Sequence, residues 1–151
     1  MTHQASGARK LVRWCAGLSL AAGISHGLNV QEHLREWWGY GAFFLFAAAG
    51  QVFFGLILVV QPWRYDETGG LRNGDRYARI VYLTGIVANC FFIALYVITR
   101  TVGIPFFGPQ AGRLEPLTVL GLATKVLEAS LVILLIALLR GMVQRQRQEA
   151  H

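Results

Sequence analysis

The chain has 151 residues, enough for one compact domain, and its 54% hydrophobic and 15% charged residues exclude an ordinary soluble surface, where about a quarter of residues are charged. The formal net charge of +6 would suit nucleic acid, but no basic recognition face or motif goes with it; Lys and Arg also collect in the cytoplasmic segments of membrane proteins, where they set orientation. The expectation is an all-α, multi-pass membrane protein with the lipid bilayer as its main partner and no nucleic acid.

Four apolar stretches are long enough to cross roughly 30 Å of hydrocarbon, which takes about 20 helical residues. The first covers about 14–30 and is entered through Arg9, Lys10 and Arg13. Those basic residues also suit a signal peptide, and Leu20 to Gly23 offers small residues for cleavage. No A-x-A site follows, and the run continues into a His-bearing segment, so a retained helix is expected. An outer connection at about 31–38 leads to the second span, about 39–60. Trp37, Trp38 and Tyr40 open this span, and Trp63 and Tyr65 follow its far end as interfacial anchors. Trp14, Tyr77 and Tyr82 flank other inner ends.

A polar connection at about 61–78 carries Thr68-Gly69-Gly70 and Asn73-Gly74-Asp75, which read as turns. The third span covers about 79–99. The connection at about 100–116 holds Pro105, Pro109 and Pro116 with Gly103, Gly108 and Gly112. Fixed φ at proline beside open φ at glycine predicts a shaped loop, acting as a lid over the bundle mouth or as a rigid connector. Phe106 and Phe107 are expected to dip into the interface, and Pro116 to start the fourth span, about 117–139, with Glu115 near its positive end. A frayed polar tail, 140–151, follows.

Ten Lys and Arg residues fall at the N-terminus, in the second connection and in the tail, whereas the first and third connections hold only Arg35, Arg100 and Arg113. The basic side is expected to be cytoplasmic, with both termini there, in a bacterial plasma (inner) membrane. Cys15 and Cys90 lie in separate apolar runs at different depths, so no disulfide is expected.

Five polar residues lie within the spans: His26, Gln51, Asn89, Lys125 and Glu128. Polar groups in hydrocarbon need partners, and ionisable ones mark candidate functional sites. At about 1.5 Å per residue, Gln51, Asn89 and Glu128 lie roughly 15–18 Å from the outer end, and His26 only about 6–8 Å. Lys125 and Glu128 share a helix face. They form either a closed ion pair satisfied by Gln51 or Asn89, or a ligand-binding or proton-handling centre. His26, Glu32, His33 and Glu36 form a candidate metal set at the outer mouth, since imidazole and carboxylate suit first-row divalent ions. His26 and His33 are about 10 Å apart along a helix, so one metal requires the helix to break between them. Arg100, Arg113 and Glu115 are outer-mouth candidates. Gly23 and Gly27 around His26, and Gly85 beside Asn89, allow close helix approach.

The segments Glu32-His33-Leu34, Trp37-Trp38-Gly39-Tyr40-Gly41, Arg100-Thr101-Val102-Gly103-Ile104-Pro105 and Gly108-Pro109 resemble a group of uncharacterised bacterial four-helix membrane proteins. In size and helix count the chain is also similar to DoxX-like membrane proteins, with no shared motif. Neither resemblance implies an activity or a catalytic residue. Three functions fit: a transport or sensing protein whose outward-facing polar site binds a small ligand or ion; a redox subunit or enzyme using a divalent metal or a quinone; and an assembly partner in a homo-oligomer or with another membrane protein.

Overall fold

The structure is a computed structural model describing residues 2–64, 70–105 and 107–149. Among these residues it is all-helical, with four long helices: α1 (Thr2–Glu36), α2 (Trp38–Val60), α3 (Gly70–Thr101) and α4 (Val119–Glu149). A single 3-10 turn, Pro62–Arg64, follows α2. Three segments are long and apolar enough to cross a membrane: Trp38–Val60, Gly74–Thr101 and Val119–Gln148. The middle of α1 is diluted by Ser19, Ser25, His26 and Asn29. Ser19, Ser25 and His26 are buried between helices, where hydrogen bonds take the place of hydropathy.

The helices run well past the apolar stretches. Hydropathy marks where side chains turn polar, but the backbone ladder continues until a residue breaks it. The 61–78 connection is therefore shorter than expected, with α3 already helical at Gly70. Asn73-Gly74-Asp75 lies inside α3, not in a turn. A Cβ at Gly74 would lie 2.9 Å from the Trp63 carbonyl oxygen, so this glycine admits the 3-10 turn against α3. Thr68 and Gly69, like Tyr65 and Phe106, lie outside the described residues. The expected frayed tail is helical as far as Glu149. The 31–38 connection shrinks to one extended residue, Trp37, with φ −169° and ψ 139°.

At the other end of α2, Gln61 takes the left-handed conformation (φ 49°) and its N–H donates to Ile57 O at 2.8 Å. This closes the helix before Pro62. The start of α4 also differs from expectation. Pro116 lies ahead of the helix, and Thr118 is the cap, its Oγ1 accepting from Gly121 N at 3.1 Å.

α1 packs along α2 and α4, and α3 along α4. Gly23 sets the α1–α2 contact: a Cβ there would lie 2.8 Å from Val52 Cγ2 and 3.1 Å from Ala48 O. The half of the bundle nearer the chain termini has an apolar core including Val12, Cys15, Leu58, Tyr82, Leu131 and Leu135. Cys15 is buried there, and Cys90 is exposed on α3. Polar side chains fill the middle of the bundle.

Candidate functional site: a buried polar centre

Glu128 on α4 is fully buried, at 0% exposure. His26 Nε2 on α1 lies 2.8 Å from its Oε1, and Lys125 Nζ lies 2.5 Å from its Oε2. A carboxylate only accepts, so the imidazole donates from Nε2. The expected sharing of one face by Lys125 and Glu128 is present. The partner supplied by another helix is His26, however, not Gln51 or Asn89.

The depth assigned to His26 fails because α1 continues to Glu36. Ten residues separate them, about 15 Å of helix, which brings His26 level with Glu128. The rings of Phe44 and Phe92 stand 5.9 and 5.3 Å from the imidazole, which is buried. Lys125 also reaches the Phe92 carbonyl at 3.4 Å. One turn toward the loop end, Ser25 Oγ hydrogen-bonds Thr124 Oγ1. Thr124 in turn donates to Leu120 O at 2.7 Å.

Gln51 and Asn89 form a second, uncharged network. Gln51 Nε2 donates to Asn89 Oδ1 at 2.8 Å, and Asn89 Nδ2 to Gly85 O at 2.8 Å. Ser19 Oγ lies 2.7 Å from both Gln51 O and Gln51 Oε1. This chain ties α1, α2 and α3 together. Gly85 itself is covered by Phe54 and Leu135. Ser19, Ser25 and Thr124 escaped the sequence reading because small hydroxyls in an apolar run are ordinary. The only available signal was that Ser19 lies seven residues before His26, close to the same helical line.

The metal candidates do not gather. α1 is unbroken between His26 and His33, so the two stay about two turns apart. His33 Nδ1 lies 2.9 Å from Asn29 O, and its ring stands 4.0 Å from Phe44. Glu32 and Glu36 are exposed. Among the described residues, no three His, Cys, Asp or Glu side chains converge as a metal-binding group.

The chain matches no known protein family, no curated protein and no solved structure.

The connection between α3 and α4 is a shaped loop. Gly103, Gly108 and Gly112 have positive φ (109°, 83° and 78°). Ile104 N donates to Arg113 O at 2.9 Å, and Gly112 N to Ile104 O at 2.9 Å, closing the loop on itself. Tyr40 docks it onto the α1–α2 corner, its hydroxyl donating to Phe107 O at 2.8 Å and accepting from Gln110 N at 3.2 Å. Trp37 packs edge-on against Tyr40 and Phe107 at 5.1 and 4.8 Å. Tyr40, expected as an interfacial anchor, is buried at 8% exposure and serves as the loop's tether. Arg100 NH1 pairs with Glu115 Oε2 at 2.8 Å, joining two of the outer-mouth candidates. The third, Arg113, is exposed and contributes its backbone carbonyl.

Proposed function

We propose that this is a small bacterial inner-membrane protein that crosses the bilayer four times, with both termini in the cytoplasm. Its buried polar centre handles protons in a transport or sensing role. Support for four spans comes from α1, whose Ser19, Ser25 and His26 are buried against other helices. Support for the orientation comes from the clustering of Lys and Arg at the end holding the termini.

One observation carries the proton reading. Glu128, at 0% exposure, is held by Lys125 on its own helix and also by His26 from α1. Lys125 alone neutralises a carboxylate. Imidazole is the side chain that ordinarily exchanges protons around neutral pH, and here it is hydrogen-bonded to a carboxylate inside hydrocarbon. Intramembrane pairs of this kind mark proton relays.

The test is proton flux into vesicles that contain the purified protein and an internal pH dye. Wild-type vesicles are expected to equilibrate faster than empty ones, and Glu128→Gln vesicles to behave as empty ones do. Wild-type vesicles no faster than empty ones would remove transport.

A second reading, packing against another membrane helix, is favoured by a groove along α3 lined by Leu83, Thr84, Val87, Ala88 and neighbouring residues. Thr84 and Ala88 are small side chains one turn apart, as at membrane helix contacts. Cross-linking through the exposed Cys90 would report such a neighbour.

A further inference from the structure

Beyond Lys125, toward the loop end, hydrogen-bond donors outnumber acceptors. Tyr96 and Arg100 lie one turn apart on α3. The guanidinium carbon of Arg100 stands 3.6 Å from the centroid of the Tyr96 ring. The ammonium of Lys125 approaches the same ring from α4, at 5.5 Å. Tyr96 Oη and Arg100 Nε are both shielded from solvent, and neither has a hydrogen-bond partner among the described residues.

Several neighbouring acceptors already carry a bond. Glu115 Oε2 and Thr99 Oγ1 take Arg100 NH1 at 2.8 and 2.7 Å, and both Glu128 oxygens are occupied by His26 and Lys125. Lys125 has three donors and no acceptor, and Arg100 Nε can only donate. Among the described residues, Lys125 makes one short bond to Glu128 and one long contact to Phe92 O. A buried donor left without an acceptor is destabilising, more so when it belongs to a charged group. Two cations flanking one aromatic ring also repel each other. α4 comes close to the hydroxyl at Gly121, where a Cβ would lie 2.8 Å from Thr118 Oγ1, 3.0 Å from Tyr96 Cε2 and 3.4 Å from Oη.

We propose that Tyr96 Oη, Arg100 Nε and Lys125 Nζ form a binding site for a small monovalent anion, a halide or a short carboxylate, on the loop side of the His26–Glu128 pair. The proposal rests on reading Lys125 as part of a working centre, with its ammonium 5.5 Å from the centroid of the Tyr96 ring. The anion supplies the missing acceptors and separates two like charges. Glu115 and Glu128, behind the two cations, disfavour a multiply charged ligand.

The experiment uses the full chain in detergent at constant ionic strength, with gluconate as the bulky reference anion. Its thermal unfolding midpoint is followed while chloride or formate replaces gluconate. The wild type is expected to show a rise that saturates, and comparing the two anions tells halide from carboxylate preference. Tyr96→Phe, which keeps the ring, is expected to fold and to lose that dependence. A wild-type midpoint identical in all three anions, or a rise that survives unchanged in Tyr96→Phe, would overturn the proposal. Tyr96→Phe more stable than wild type in every anion would also overturn it, because the hydroxyl would then hold no acceptor. Proton flux measured on the same proteins separates this from the proton reading: flux without anion dependence removes the anion site alone.

Discussion

His26 and Glu128, 102 residues apart in sequence, meet at 2.8 Å in the middle of the bundle. This contact locks α1 to α4. Lys125 completes the centre from one turn away, at 2.5 Å from the second carboxylate oxygen.

Breaking this centre asymmetrically is expected to be costly. Glu128→Ala leaves Lys125 and His26 facing a hole where a carboxylate stood. Removing one partner of a buried pair destabilises by about 3–5 kcal/mol. Replacing both charges together, as Lys125→Met with Glu128→Leu, is expected to restore part of that loss, because apolar replacement of a buried ion pair is often neutral but His26 still loses its partner. Denaturant unfolding of the single and double variants in one detergent checks both statements. A double variant as unstable as Glu128→Ala would show that the pair is needed for the fold itself.

The α1–α2 contact gives a paired prediction from two glycines one turn apart. A Cβ at Gly23 would meet Val52 and the Ala48 carbonyl at 2.8–3.1 Å, whereas at Gly27 the nearest atom is 4.0 Å away. Gly23→Val is therefore expected to cost roughly 1–3 kcal/mol by overpacking. Gly27→Ala is expected to be tolerated, with some gain in helix propensity. Midpoints of thermal unfolding rank the two.

Tyr40→Phe keeps the ring against Trp37 and Phe107 but removes both bonds of the hydroxyl to the loop. Each such bond is worth about 0.5–1.5 kcal/mol net. The amide of Gln110 is expected to exchange its hydrogen faster in the variant, while amides in the middle of α2 are unchanged. Unchanged exchange at Gln110 would mean that the loop is held by its own glycine-shaped turns.

Much of this was legible in the sequence, and the misses have physical causes. The helices were visible as apolar runs because burial in lipid or protein demands apolar faces. Lys125 and Glu128 were paired correctly because i and i+3 share a face on any helix. Gly23 announced a close helix contact for the same local reason. Helix ends were misplaced wherever charged residues continue a helix, as Glu32, Arg35 and Glu36 do in α1. That error shifted His26 in depth and hid its meeting with Glu128. Contacts between distant segments, such as Tyr40 with Phe107 or Arg100 with Glu115, depend on how helices pack, which no local pattern records.

The most direct measurement is the infrared difference spectrum of the bilayer-reconstituted protein between stepped pH values, wild type beside Glu128→Gln and His26→Gln. A protonation change at the centre is expected to appear as a carboxyl or imidazole band that moves with pH in the wild type. A carboxyl band is expected to vanish in Glu128→Gln and to shift in His26→Gln, and an imidazole band to vanish in His26→Gln. A wild-type spectrum with no such band across the range where the protein stays folded would contradict the proton-handling centre and leave His26, Lys125 and Glu128 as a structural lock between α1 and α4.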